Sequence, residues 1–442
     1  MRKRILLLVA MISANVACDH MPSGDDPELP ADSEYKVASL FINTEDMDGD
    51  GEPDWIPVED KKKKIDCTIS IDHPDDKWDF AGTGTVRGRG NSTWLWYDKK
   101  PYRIKLDEKA SILGLAEDKD WVLLANFRDP TCLMNTFVFE LGHTMGLPYT
   151  NHTRLVEVTL NGDYIGLYQL TEQVEQGGNR VDVDDAGGVL IALDVDDGPY
   201  ESPSATDNFW SDVYGMPVCV KFPEDIDLTG IRKDFAELES AILGIRKRTG
   251  NIDKVRELLD VQSFIDYLII QELTYNVELA APRSMYMHKD KGGKWVMGPL
   301  WDFDAGFDFD WGTMYDGHHY FDSYRKLMLG TDPIHHGGGN SGVPNFFTDI
   351  FRSDEFCEEF IARWEEISPL IMTEVWENTM KYYEAGEAAM TRNSQRWPIY
   401  FPSDGHPMEE IDYHAEIAKM YSWLSSRIDY LSSIFKKYVA LD

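Results

Sequence analysis

Lys294-Trp295-Val296-Met297-Gly298-Pro299-Leu300-Trp301-Asp302-Phe303-Asp304-Ala305-Gly306 is the stretch on which the reading of the chain turns. A mostly apolar, alternating run stands between Gly292-Gly293 and Gly306, the pattern of a buried strand that delivers its last residues into a loop. Two carboxylates, Asp302 and Asp304, occupy that exit. Acids one residue apart beside a large apolar cluster repel each other and lose hydration. They need a cation, an arginine or a hydrogen-bond network to stay ionised. Hard oxygen ligands of this kind suit Mg2+ carrying a phosphorylated substrate. Solvated Asp capping a strand end is the plainer alternative.

Working outward, 442 residues are enough for two or three packed units, and a 43% hydrophobic fraction with 13 Trp fills sizeable cores. The formal net charge of -35 repels phosphate backbones, which argues against a nucleic-acid partner and favours basic ones. A solvated acidic surface with no charged partner fits the same composition.

Met1-Arg2-Lys3-Arg4 is a basic n-region and Ile5 to Ile12 an apolar h-region, followed by small residues at Ser13-Ala14 and Ala17. This predicts a signal peptide over residues 1–17. Asn15-Val16-Ala17-Cys18 is similar to a bacterial lipobox with Asn15 where Leu is usual, so lipid on Cys18 and anchorage at the cell envelope, surface-exposed, are expected. Ordinary cleavage nearby is the alternative. Residues 18–33, rich in Pro, Asp and Ser, read as a flexible tether. Beyond Cys18 only Cys67, Cys132, Cys219 and Cys357 remain, with no C-x-x-C zinc pattern and no dense disulfide framework.

Lys36 to Ile42 is a predicted strand leading into Asp46-Met47-Asp48-Gly49-Asp50-Gly51-Glu52-Pro53-Asp54. Oxygens at alternate positions let such a loop wrap Asp46, Asp48, Asp50 and Asp54 round a structural Ca2+. Pro57 stands at the twelfth position in place of a bidentate Glu, leaving Glu59 or Asp60 nearest to that role; an acidic hairpin turn is the alternative. Lys61 to Lys64 read as a solvated strand edge. The glycine-rich connection from Gly82 to Trp94 offers freed backbone amides with Arg and Ser/Thr donors beside them, a cradle for phosphate. In the strand Lys99 to Leu106, period two puts Arg103 and Lys105 on one face. A strand over Asp120 to Asn126, a helix over Thr131 to Gly142, an Asn161-Gly162 hairpin and a strand over Gly187 to Asp194 follow.

The pieces RGRGNSTW, KKPYRIKL, LGLAEDKDWVLLANFRDPT, FELGHTMGL, VTLNGDYIGLYQLTEQV, NRVDV, GGVLIALD, SFIDYLIIQELTYNVE and GPLWDFDAGF occur in the order found in the CotH kinases, which the chain resembles from about Val37 to its end. That resemblance implies an α+β, two-lobed atypical protein-kinase-like fold. A β-rich N-terminal lobe would span 34–185, and a mainly helical C-terminal lobe 186–442 would carry the strand-loop 294–306. It also implies transfer of the ATP γ-phosphate, with Mg2+ or Mn2+, to serine in secreted or surface proteins.

Residue by residue, the resemblance makes Lys105 the lysine that holds the nucleotide phosphates and Glu140 its helix partner. It assigns Arg87, Asn91 and Ser92 to the phosphate-side loop, and Glu172 and Val174 to the segment passing the adenine. Asp302 resembles the metal-binding Asp of D-F-G, with Asp304 a further acid. Trp301 packs on the base or fills the core. The family's Asn-x-Asp is here Asn276-Val277-Glu278, which makes Glu278 the candidate base; where the family often has Arg-Asn, this chain has Met134-Asn135.

In the remainder, Phe347, Phe351, Phe356, Phe360, Trp364 and Ile371 recur near helical spacing, as do Ile417, Tyr421, Leu424, Ile428, Leu431 and Phe435. These are core stripes. His318-His319 and His335-His336 read as solvated loop histidines rather than metal ligands. Two functions from different classes fit: a surface-tethered kinase acting on a protein substrate, basic and Ser-rich, or a catalytically weak, kinase-shaped binding and adhesion module.

Overall fold

The computed structural model describes residues 32–199, 206–224, 227–310, 318–329, 342–398 and 411–439. The expected signal peptide, Cys18 as the expected site of lipid, and His335-His336 lie outside them.

Seven strands come first: β1 (Ala38–Thr44), β2 (Ile65–Asp72), β3 (Phe80–Gly88), β4 (Tyr102–Ala110), β5 (Asp118–Leu124), β6 (Arg154–Leu160) and β7 (Asp163–Glu172). They form a closed barrel in the order β1-β2-β3-β4-β5-β7-β6, sealed by parallel pairing of β1 with β6 from Ala38↔Val156 to Ile42↔Leu160. The alternation that predicts strands also fills the barrel. Ile65, Cys67, Ile69 and Ile71 of β2 point inward to meet Leu40, Ile42, Val156 and Val158. Closure leaves no free edge in the expected β-rich N-terminal region. The glycine-rich stretch is also corrected, since Gly82 to Gly88 is not a loop but the body of β3. At Gly84 an added Cβ would stand 2.3 Å from the Lys105 carbonyl oxygen, so only glycine lets β3 and β4 approach there. The Asn161-Gly162 turn takes φ 51 and φ 80, the doubly left-handed pair its sequence calls for.

Two helices interrupt the barrel, α1 (Ser92–Trp96) and α2 (Met134–Met145). The Asp129 carboxylate starts α2 by accepting the N–H groups of Thr131 and Met134, each at 2.8 Å, and Gly146 ends it at φ 73. Beyond the barrel, β8 (Val189–Leu193), β9 (Asn208–Trp210), β10 (Pro217–Phe222), β11 (Met285–Lys289) and β12 (Trp295–Met297) form a second sheet ordered β12-β11-β8-β10-β9. Within the strand-loop expected over 294–306 the strand is only three residues long, and the rest is an irregular exit.

Around this sheet pack α3 (Thr229–Arg246), α4 (Ile252–Leu258), α5 (Val261–Thr274), α6 (Asn345–Thr348), α7 (Asp354–Leu370), α8 (Trp376–Arg396) and α9 (Tyr413–Val439). The architecture is mixed α+β, β-rich first and helical later. Phe347, Phe351, Phe356, Phe360, Trp364 and Ile371 are all buried, each contributing about 1.5–3 kcal/mol of apolar transfer. The α9 stripe is read less well, because Tyr421 is exposed and Trp423 and Arg427 take the inner face. Arg427, fully buried, donates to the Glu272 carboxylate at 2.9 Å and to the carbonyls of Leu273, Tyr324 and Lys326. His319 is likewise buried rather than solvated; burial pulls it down to about 4.

The helical part grips the barrel through α8. Asn393 accepts the Leu167 N–H at 3.1 Å, the Trp397 indole donates to the Ile165 carbonyl at 2.8 Å, and Arg392 pairs with Glu157. Val122, Val174, Val181, Val183, Leu190 and Trp301 form a small apolar cluster of their own where barrel meets second sheet. Among the described residues, no helix is long and apolar enough to cross a membrane.

Candidate functional site

A cleft of about 470 Å³ opens beside that cluster. On its barrel side stand Arg87 and Arg89 at the end of β3, Asn91 and Ser92 at the start of α1, and Arg103 from β4. Lys61 and Lys62 join them from the loop before β2. Across it stand Asp194 at the end of β8, Glu278, Ser284, and Trp301-Asp302 beyond β12. One wall is thus mainly cationic and the other mainly anionic.

Local structure explains each placement on the acidic wall. Helix α5, capped at its start by Asp260 accepting the Ser263 N–H at 2.8 Å, ends on Tyr275 in the left-handed region at φ 50. The chain then makes one tight turn in which the Asn276 side chain accepts the Glu278 N–H at 3.2 Å. This sets Glu278 inside the protein, 5% exposed, and its Oε2 has no hydrogen-bond partner among the described residues. Burial first, then the charge of Asp302, pushes its carboxyl well above the usual range, with Arg128 opposing.

Asp302 itself sits at φ 65. The next N–H, of Phe303, goes to the buried Asn135 Oδ1 at 2.8 Å, so the Asn of Met134-Asn135 holds the strand exit in place. Burial, then Asp304 and Asp194, raise Asp302 to about 7 against the pull of Arg128 and Arg89. Asp194 accepts the N–H groups of Asp196, Asp197 and Ser284, and burial raises it too. Asp304 is different. Arg128 grips it at 2.6 and 3.4 Å, and it does not line the cleft, so this second acid is already neutralised by an arginine.

The other assigned residues divide. Arg87, Asn91 and Ser92 do line the cleft, and Lys61, taken for a solvated edge, reaches in to the Gly90 carbonyl and to Asn91 Oδ1 at 2.8 Å. Lys105 shares a face with Arg103, but its half-exposed side chain pairs with Asp120 at 3.1 Å outside the cleft lining. Arg103 is the β4 cation that faces in, bonded to Asp120 at 2.8 Å and Glu175 at 3.0 Å. Glu140 lies half-buried on α2, 3.5 Å from the Tyr382 hydroxyl, so it does not partner Lys105 here.

Glu172 lines a separate cavity of about 280 Å³, sharing only Gln173 and Val174 with the cleft. Burial works against its charge, but His152, bonded at 2.6 Å through Nδ1 and 2.9 Å through its backbone N–H, holds Glu172 at about 2. Val174 and Trp301 form the apolar back wall, with the Arg89 guanidinium 5.3 Å above the Trp301 ring. Asp46, Asp48 and Asp50 bring one oxygen each within 4.8 Å of one another, whereas the Asp54 carboxylate is apart from them, 3.5 Å from Lys63.

Asp194, Ser284 and Arg128 had no role in the sequence reading, and Arg89 entered it only among the donors of the Gly82 to Trp94 stretch. A signal existed for Asp194 alone: it follows the apolar run Val189 to Leu193 just as Asp302 follows Trp295 to Trp301.

A search of curated proteins finds no match. The family model described as CotH kinase protein matches residues 86–431, from the last residues of β3 to the middle of α9. That span takes in the acidic wall of the cleft, the cationic wall apart from Lys61 and Lys62, and most of the chain, and on that ground this protein belongs to the CotH kinase family.

Proposed function

We propose that this family member is an ATP-dependent protein serine kinase of two-lobed, atypical kinase form, exported and held at the cell surface by lipid on Cys18. One observation carries the reading: a cationic wall of Arg87, Arg89, Arg103 and Lys61 faces buried carboxylates that repel each other and leave Glu278 Oε2 without a partner among the described residues. Such a wall suits phosphates, and the uncompensated acids suit a divalent cation, Mg2+ or Mn2+.

Asp302, with Asp194 beside it, would hold the metal; Arg87, Arg89, Arg103 and the Gly90-Asn91-Ser92 backbone would hold the phosphates, and Val174 and Trp301 would meet the base. Bound Mg-ATP supplies the transferable phosphoryl group and neutralises developing charge. Arg89 and Asp302 orient that group from opposite walls, and the apolar back wall of Val174 and Trp301 leaves water few partners there. Glu278 accepts the proton of the acceptor hydroxyl. The acidic surface draws basic, Ser-rich protein substrates. The Asp46-Asp48-Asp50 trio takes a structural Ca2+.

A catalytically weak binding and adhesion module is the second reading. Burial of Glu278 favours it, since a carboxyl pushed well above its usual range is a poor base until its neighbours are neutralised. Labelled ATP with Mg2+ or Mn2+ and basic Ser-rich peptides decides between them. Phosphopeptide is the expected product; ATP bound without transfer supports the module, and no ATP binding overturns the kinase reading.

A further inference from the structure

We propose that Ser284 is a positioning residue that sets the Asp302 carboxylate for the cation. The proposal rests on the metal-nucleotide reading of the cleft. Ser284 precedes β11 and Asp302 follows β12, so the two stand at the same end of a hairpin, and the Ser284 hydroxyl donates to Asp302 Oδ2 at 3.3 Å. Both residues have left-handed backbone, φ 54 for Ser284 and φ 65 for Asp302. Non-glycine residues rarely adopt that region, and they persist in it only where the surroundings over-determine them.

The constraints are visible on both sides of the contact. The Ser284 N–H is held by Asp194 Oδ2 at 3.0 Å, while Asp194 Oδ1 is fixed by the N–H groups of Asp196 and Asp197 at 2.9 and 3.1 Å. The preceding Arg283 is tied to Asp196 at 2.9 Å and to the Ala281 carbonyl at 3.0 Å. On the other side, Asn135 holds the N–H that follows Asp302 at 2.8 Å. Two pinned, strained backbones therefore present one hydroxyl to one carboxylate.

A donor on Oδ2 fixes the rotation of the carboxylate, and with it the oxygen that is turned to the cation. Ser284 acts through Asp302, and nothing in this role requires it to touch the transferred group.

The test compares the full chain with its Ser284→Gly and Ser284→Asn variants. Two quantities are read: the Mg2+ concentration giving half-maximal ATP binding by calorimetry, and the melting temperature without metal. Glycine accepts the left-handed backbone and lacks the hydroxyl. Its metal-free melting temperature should therefore be unchanged or higher, while its Mg2+ requirement rises about 10-fold or more. Asparagine tolerates the same backbone and offers an N–H donor, so it should move the requirement back towards the wild-type value. A serine that only packs the loop predicts the reverse, a lower melting temperature in Ser284→Gly with the Mg2+ requirement untouched, and that result overturns the proposal. Failure of Ser284→Asn to restore the requirement overturns it as well. If the wild-type chain binds no ATP with Mg2+, the reading of the cleft fails and takes Ser284 with it; an equal Mg2+ requirement in wild type and Ser284→Gly sinks Ser284 alone.

Discussion

Two clusters of carboxylates in this protein respond to their surroundings in opposite ways. In the exposed loop, the Asp46 carboxylate accepts the N–H groups of Gly49, Asp50 and Gly51 at 2.6, 3.1 and 2.8 Å, and those bonds, Gly51 first, hold it below its usual range. In the cleft, Asp194, Glu278 and Asp302 are all raised, in each case by burial first. The loop neutralises itself with its own backbone. The cleft leaves negative charge uncompensated, which is the condition under which a cation is worth most.

Removing one cleft charge should give the largest effect. Asp302→Asn is expected to abolish Mg2+-dependent ATP binding and to raise the melting temperature of the metal-free protein, because a buried repulsion goes with the charge. Calorimetry and thermal melts read both. Unchanged ATP affinity would place the two clusters on an equal footing.

Glu278→Gln should cut phosphotransfer by about 100-fold or more while ATP affinity stays, since Gln keeps the shape and lacks the base. Equal rates of labelled-phosphate transfer in mutant and wild type would remove Glu278 from the chemistry.

Acidity separates the clusters further. Between an unfolded value near about 3.9 and its folded value of about 7, Asp302 keeps in the folded state a proton that the unfolded chain releases. Metal-free stability should therefore rise as pH falls across that window, by up to about 1.4 kcal/mol per unit, and Asp302→Asn should flatten the slope. Mg2+-supported ATP binding should run the other way, strengthening as pH rises through 7. Denaturant titrations at several pH values measure the first, calorimetry the second. A profile of ATP affinity that is flat from pH 6 to 8 would contradict the contrast.

The smallest effect belongs to the loop. Calcium should lift the melting temperature by a few degrees, as any ligand specific to the folded state does, and Asp48→Ala with Asp50→Ala should cancel the lift. Because Asp46 is already ionised well below neutrality, the lift should not vary from pH 6 to 8. No calcium response in the wild type would leave the loop as a self-satisfied turn.

The same contrast explains what could be read from the chain alone. Asp302 was legible because a strand exit and its flanking residues are local, and so were the alternating strands and the Asn161-Gly162 turn. The Arg128–Asp304 pair was not: it joins positions 176 apart, and no local pattern reports such a partner. Nor does period two choose between Arg103 and Lys105. It puts both on one face, and only the way the closed barrel meets the second sheet turns Arg103 inward and leaves Lys105 with Asp120. Barrel closure itself depends on β1 meeting β6, a pairing across more than half the barrel's sequence. Glu140 sits on the predicted helix, yet its facing partner is Tyr382 of α8, which the spacing within α2 does not reveal.

Arg427 has a consequence for how the protein is made. Its guanidinium fastens the end of α5, and the turn carrying Glu278 starts four residues after Glu272, at Asn276. In the direction of synthesis, the barrel is complete once Glu172 has emerged, but the setting of Glu278 must wait for a residue on the final helix. A chain that ends before α9 leaves Glu272 buried without its cation and the turn unfastened. The turn that carries Glu278 is thus braced by a helix that emerges only after the whole barrel.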